Sequence, residues 1–530
     1  MFDLLIRGGL LVDGTGAPGL RADIGVEGGR VTALGPIPHE VEAVEVLDAR
    51  DCVVAPGFID IHSHSDFTLL IDPRAMSSVS QGVTTEVVGN CGHGCAPIAD
   101  PLAVRSNIYG YDPCVPLNWR DMAGYFARLE EARPAVNVAT LVPNGNLRLA
   151  AMAIPAKVAQ PEDVRTMARL LGESLDAGAF GFSTGLEYML EIASSEDELV
   201  ELCRITAKHD GIYATHTRNR SEEALEAIEE QVRVAERAGV PIQISHIVPR
   251  ESAPEGAWAD AIGLIERART RNCNAAFDMH TRVFGFSNLC IALPPDLLTL
   301  PAEQLAARLT DPESRRELRH YRSGLRARGD RLGWDRVRLY HSASRPEWIG
   351  QTFAELAPPG GDALDAILNV LLADVEKPYA PMFAADAYEE AWLRATFRHP
   401  LCSPASDATT LGTDGPLADT MWPGAFTWAG WYFRRMVRET GELTLEDAVR
   451  RMTSLPADRI GLKGRGRLVR GAWADVVVFD PDRYCDQATQ DEPKRLAAGV
   501  IHVLVNGKPA MRAGKLTDER PGNVLRKGQS

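Results

Sequence analysis

Basic residues are in deficit in this 530-residue chain: 57 Lys and Arg stand against 72 Asp and Glu, a formal net charge of −15. Nucleic acid and anionic membrane surfaces both select clustered positive charge, so neither is an expected partner. Cysteine is sparse too, and nine scattered residues, an odd number, do not make a disulfide framework. No apolar run approaches the roughly 18 residues that cross a bilayer. Residues 1–12 are interrupted by Asp3 and Arg7 and do not read as a signal peptide. There is no fixed-period repeat and no low-complexity tract. A soluble cytoplasmic protein with reduced thiols is the expectation. Hydrophobic residues at 45% and charged residues at 24% are ordinary globular values, so a sizeable core is expected.

Turn punctuation divides the chain. Residues 2–7 stop at Gly8-Gly9, residues 23–27 at Gly28-Gly29, and residues 30–34 at Gly35-Pro36. Residues 474–479 and 500–505, with the turn Asn506-Gly507, repeat this pattern near the other end. Such spacing predicts a small antiparallel sandwich or barrel, here one β-sandwich domain from residues 1–55 and 465–530. Between them, apolar bursts occur at 58–62, 82–90, 136–142, 179–183, 212–217, 241–248, 274–280 and 401–407. Amphipathic stretches such as 161–177 and 222–238 separate them. Eight bursts with intervening helices predict an α/β fold, a distorted (β/α)8 TIM barrel over 56–464. The seventh and eighth bursts lie about 120 residues apart, too far for one unit, so a lid or insertion is predicted around 284–379.

Chemistry-bearing residues gather at the predicted C-terminal strand ends, where barrels place active sites. His62 and His64 share one face of an extended strand and can reach one ion. His216 and His246 end the fifth and sixth bursts. Any one of them alone reads equally as a hydrogen-bonded structural residue; four at three strand ends are hard to explain by packing. Asp407 ends the eighth burst, where a carboxylate can orient and deprotonate a water; its plainer role is a helix cap. Asp414, in Gly412-Thr413-Asp414-Gly415, is a rival but reads better as a turn. Cys91, in Gly89-Asn90-Cys91-Gly92, would ordinarily be a small buried hydrophobe. Beside a ring of histidines it becomes a candidate thiolate ligand, since zinc accepts mixed Cys/His sets.

These residues resemble the amidohydrolase superfamily, and within it the D-aminoacylase (N-acyl-D-amino-acid deacylase) branch. The resemblance rests on Pro56-Gly57-Phe58-Ile59-Asp60-Ile61-His62-Ser63-His64, on Asn90-Cys91-Gly92, on Ser183-Thr184-Gly185-Leu186-Glu187-Tyr188, and on residues 465–475. It implies a tight zinc on Cys91, His216 and His246, and a second, weaker position on His62 and His64 with Asp407. Many relatives bridge two metals with a carboxylated lysine on strand four; no lysine lies near 179–188, consistent with the cysteine-type site. Glu187 is then a supporting or structural residue. The activity implied is hydrolysis of a linear amide (N-acyl) bond by metal-activated water, with Asp407 as catalytic base and acid and with Tyr188 as a substrate contact.

The branch pattern breaks where its members hold the substrate carboxylate. Its Ser-His-x-Lys becomes Ser245-His246-Ile247-Val248, its Asp-x-Tyr-Pro-Tyr becomes Asp278-Met279-His280-Thr281-Arg282, and its His-Pro-Arg is replaced around Met421-Trp422-Pro423-Gly424. The Gly-His-Gly after strand three reads Pro143-Asn144-Gly145. Losing a charge-assisted partner for a buried carboxylate costs about 2–5 kcal/mol, so a small-molecule amide without the free D-amino-acid carboxylate is expected. Arg282 could rebuild an anion site from another direction. Ser287, Trp422, Phe426 and Trp428 are further candidates for the substrate wall, the last two equally placed for core packing. The alternatives are a true N-acyl-D-amino-acid deacylase, a hydantoinase-like cyclic amide or imide hydrolase, and a non-catalytic scaffold. A homo-oligomer is compatible with the composition.

Overall fold

The computed structural model describes residues 1–250, 253–294, 296–489 and 492–529. Uninterrupted apolar runs, rather than alternating ones, suit strands covered on both faces. Eight such parallel strands lie side by side in chain order: Phe58–Asp60, Val83–Val88, Asn137–Pro143, Gly181–Gly185, Ile212–His216, Ile242–Ile244, Ala275–His280 and Cys402–Ala405. Every residue in them is buried. Between the eighth strand and the first, the ring closes through one parallel bridge, Ser63 to Ala408. Asp407 N–H donates to His62 O at 2.9 Å, and His64 N–H donates to Ala408 O at 2.8 Å. Closure therefore occurs at the C-terminal ends, and it fixes His62, His64 and Asp407 against one another.

The helices follow from amphipathic spacing and capping. Pro161–Asp176 begins with a reciprocal capping box between Gln160 and Asp163 and turns Met167, Leu171 and Leu175 onto the barrel. Ala224–Ala238 buries Ile228, Val232 and Ala235, and ends at Gly239, which takes a left-handed φ of 69°.

Both chain ends contribute to a nine-stranded sheet. Phe2–Leu11 pairs antiparallel with Leu20–Glu27 but parallel with Ala43–Asp48 and Val53–Pro56. The sheet is therefore mixed, where turn spacing alone had predicted antiparallel pairing. The seam between the two ends is Val53–Pro56 against Val476–Phe479. Alternate side chains of both, including Ile6, Ile24, Val54, Val476 and Leu504, form a core of their own.

After the seventh barrel strand the chain builds a second small sheet, in which Met382–Asp386 pairs antiparallel with both Phe284–Asn288 and Val337–His341. Helices Ala302–Thr310, Gly324–Leu332 and Ala363–Ala373 pack on it around Leu305, Leu325, Phe353, Ile367 and Leu371. Its last strand in the chain is Met382–Asp386.

Candidate functional site

The side chains singled out from the sequence converge at the barrel mouth. Cys91 follows the second strand, His216 ends the fifth, His246 follows the sixth and Asp407 follows the eighth. Donor atoms of Cys91, His216 and His246 lie within 4.8 Å of one another, as do those of His62, His64, Cys91 and Asp407. The thiol thus belongs to both groups, whereas the sequence assigned it to one. Among the described residues ten non-glycine residues take a positive φ, and Cys91 (53°), His246 (37°) and Asp407 (44°) are three of them. A left-handed backbone at non-glycine residues is held only where the surroundings enforce it. Here each strand ends in a bend that turns its side chain inward.

His62 and His216 are each oriented through one nitrogen, which leaves the other for the centre. His62 Nδ1 lies 3.1 Å from Asp278 Oδ1, so its Nε2 faces Cys91 Sγ at 3.2 Å and Asp407 Oδ1 at 3.4 Å. His216 Nε2 lies 2.8 Å from Glu187 Oε2, leaving Nδ1 toward the Tyr188 hydroxyl at 3.4 Å. His246 Nε2 faces Cys91 Sγ at 3.5 Å, and its Nδ1 is buried without a partner among the described residues. Asp278 also accepts from His246 N–H at 2.8 Å and from Gln243 Nε2 at 3.0 Å, tying strands one, six and seven together.

Electrostatics follow from this packing. Burial would lower the His62 pKa, but the Cys91 and Asp278 charges outweigh it and hold it well above the usual histidine value. Burial lowers His216 to about 4, against the pull of Glu187, and takes His246 well down, helped by Arg220. Burial would raise Asp407, yet His64, His62 and Arg282 keep it well below the usual carboxylate range. Glu187 behaves likewise: Arg250 and His216 overcome its burial. Ionised carboxylates, the neutral imidazoles of His216 and His246 and a buried thiol on one point make a donor set suited to a borderline-soft divalent cation.

The cavity above these groups is lined by His64, Tyr188, Arg282, Ser287, Asp407 and Trp422, so all four candidate substrate residues reach it. Phe426 and Trp428 do not line it and pack in the core. Asp414 is exposed and pairs with Arg74 at 2.5 Å, away from the histidines. Tyr109 stands 4.8 Å from both His64 and Trp422, ring centre to ring centre, forming an aromatic wall. Tyr109, Tyr388, Arg220, Arg250 and Arg328 also line the cavity and were not singled out from the sequence. Arg220 and Arg250 follow strands five and six closely enough to have been flagged; Arg328 lies in the insertion, out of reach of any strand-end rule. The void is about 50 Å³, room for one or two waters, so a larger molecule needs part of the wall to move.

The amidohydrolase family model matches residues 45–289 and 371–511, leaving out the inserted strand Val337–His341 and the helices Ala302–Thr310 and Gly324–Leu332. An N-acyl-D-glutamate deacylase of Alcaligenes xylosoxydans xylosoxydans is 38% identical across 100% of this chain and 97% of its own length. A D-aminoacylase of the same organism is 32% identical across 99% and 97%. A solved N-acyl-D-glutamate deacylase from Bordetella bronchiseptica, complexed with zinc and a phosphonate inhibitor, superposes with a TM-score of 0.82 at 34% identity over 99% of both chains. An L-hydantoinase from Arthrobacter aurescens, at 16% identity and a TM-score of 0.57, shares the fold alone. Strand-end ligand geometry, the closing sheet and full-length similarity agree: the chain belongs to the amidohydrolase family.

Proposed function

We propose that the protein is a zinc-dependent amidohydrolase that cleaves a linear amide bond with an activated water. The observation carrying this reading is the meeting of Cys91, His216, His246, His62, His64 and Asp407, from five strand ends, in two groups whose donor atoms lie within 4.8 Å. In this reading Cys91, His216 and His246 hold the tight zinc, and His62, His64 and Asp407 form the weaker position. When bound, zinc supplies a Lewis acid that acidifies water at neutral pH and polarises the amide carbonyl. Asp407, ionised and accepting from Arg282 Nη2 at 2.8 Å on Oδ2, takes the water's proton and returns it to the leaving nitrogen. The Tyr188 hydroxyl, on the His216 side of the cavity, donates to the oxygen on which negative charge develops. The division into residues 1–55 with 465–530, a barrel over 56–464 and a lid around 284–379 belongs to the same proposal.

The replaced clamp residues support a substrate without the free D-amino-acid carboxylate. The cavity supports the deacylase alternative, because Arg220, Arg250, Arg282 and Arg328 all line it. Four guanidiniums in one buried pocket stand against the loss of the branch's lysine, two tyrosines and arginine, and we carry the anionic reading forward for test. A hydantoinase-like role has less support, since the end of strand four offers Glu187 rather than a lysine. Assaying the zinc-loaded protein on N-acetyl-D- and N-acetyl-L-amino acids, their primary amides and hydantoins tests the reading. Ring opening without any linear hydrolysis would overturn it.

A further inference from the structure

Charge in the cavity is unevenly matched. Of its four guanidiniums, Arg250 grips Glu187 at 2.5 and 2.8 Å, and Arg282 grips Asp407 at 2.8 Å. Arg220 and Arg328 have no carboxylate within ion-pair distance among the described residues. Arg220 Nη2 donates to His246 O at 2.6 Å, to Val248 O at 3.3 Å and to the Tyr388 hydroxyl at 2.7 Å. Arg328 Nη2 reaches only the carbonyls of Ala385 and Asp386, both at 3.3 Å, and its Nε is buried without a partner. Both residues are under 10% exposed. Burying a guanidinium without a counter-ion is costly unless something else supplies the charge.

Room has been kept for Arg328. A Cβ on Gly285 would lie 3.0 Å from both of its terminal nitrogens, and Gly285 itself lines the cavity. Gly285 and Arg328 belong to the same inserted unit, on its first strand and its Gly324–Leu332 helix. Burial, then neighbouring Arg250, depresses the Arg328 pKa to about 9. Beside His64 the cavity is walled by Tyr109 and Trp422.

We infer that Arg220, Arg328 and the Tyr388 hydroxyl form an anion subsite that takes a carboxylate of the amide substrate, with the insertion supplying Arg328 as a specificity-determining residue. This rests on the amidohydrolase reading above and relocates the carboxylate anchor from the replaced clamp positions to the fifth strand's loop and the insertion. The carboxylate belongs to the amine half (an N-acyl amino acid) or to the acyl half (an N-succinyl amine). Planar guanidinium forks and a phenol suit either.

The test compares kcat/KM for an N-acetyl amino acid with its primary amide, and for an N-succinyl amine with the N-succinamoyl amine. Wild type is expected to prefer the charged member of at least one pair by about tenfold or more, and the preferred pair identifies the half. Arg328→Met and Gly285→Ala should each collapse that ratio through KM of the charged substrate, and Arg328→Lys should restore part of it. Calorimetric binding of the same pairs reads the subsite even without turnover, which separates failure of the subsite from failure of the hydrolase reading. Ratios near one in wild type, no binding of either charged compound, or ratios unchanged in Arg328→Met and Gly285→Ala would overturn the inference.

Discussion

Glu187 Oε2 accepts from His216 Nε2 at 2.8 Å while Arg250 holds the same carboxylate with two nitrogens, at 2.5 and 2.8 Å. The contact fixes which imidazole nitrogen carries the proton and therefore which one is free to ligate. Partners of this kind typically contribute 10–100-fold in metal affinity. Glu187→Ala should accordingly lower zinc affinity by about 10–100-fold, read by competition with a chromophoric chelator. Unchanged affinity would show that packing alone orients His216.

Asp407 makes a sharper case. Its carboxylate faces His62 and His64 through Oδ1, at 3.4 and 3.2 Å, and Arg282 through Oδ2 at 2.8 Å. Removing a general base typically costs about 10²–10⁴-fold in rate. Asp407→Asn is expected to fall in that range in kcat while retaining the zinc that the proposed function assigns to Cys91, His216 and His246. Turnover within tenfold of wild type sinks the assignment.

Metal content separates the classes of function. About one zinc per chain supports the mononuclear reading, two a bimetal site, and none a scaffold; these are read by elemental analysis of the purified protein. Chelation should abolish turnover and added zinc should restore it. In Cys91→Ser the tight site should lose most of its zinc, because a hydroxyl replaces the soft thiolate that the site's geometry is built around.

Much of this was legible in the sequence because strand ends in a barrel have fixed outcomes. A buried apolar run followed by His or Asp places that side chain at the mouth, and this was enough for His62, His64, His216, His246 and Asp407. Cys91 needed its histidine neighbours to be distinguished from a core thiol. Asp278 was harder: it sits inside the seventh strand, and only the folded contact with His62 Nδ1 shows that it reaches the centre. Arg328 could not be placed at all, since its approach depends on how Gly324–Leu332 packs against Phe284–Asn288, about 40 residues away in sequence. The mixed pairing of Phe2–Leu11 was hidden for a related reason: turn chemistry fixes neighbouring strands, not the distant parallel partners Ala43–Asp48 and Val53–Pro56.

Glu191 gives a prediction outside the ligand set. It is 1% exposed and accepts from Gly185 N–H at 2.9 Å and Asn144 Nδ2 at 3.0 Å. It packs so closely on Gly92, whose φ is +71°, that a Cβ there would meet its Oε1. The side chain thus braces the bend that presents Cys91. Burial outweighs the two donors and raises its pKa from 4.5 to about 7. A carboxyl whose folded value is raised favours the fold most below its unfolded value and loses that contribution as pH climbs through the folded value. Between pH 4.5 and about 7, wild type should therefore forfeit on the order of 3 kcal/mol at this residue. Glu191→Gln cannot ionise and keeps both acceptor contacts through its amide oxygen, so its stability relative to wild type should rise from pH 5 to pH 8. Urea unfolding of both proteins at the two pH values measures this, and an equal difference at each would show that the carboxyl is ionised in the fold throughout.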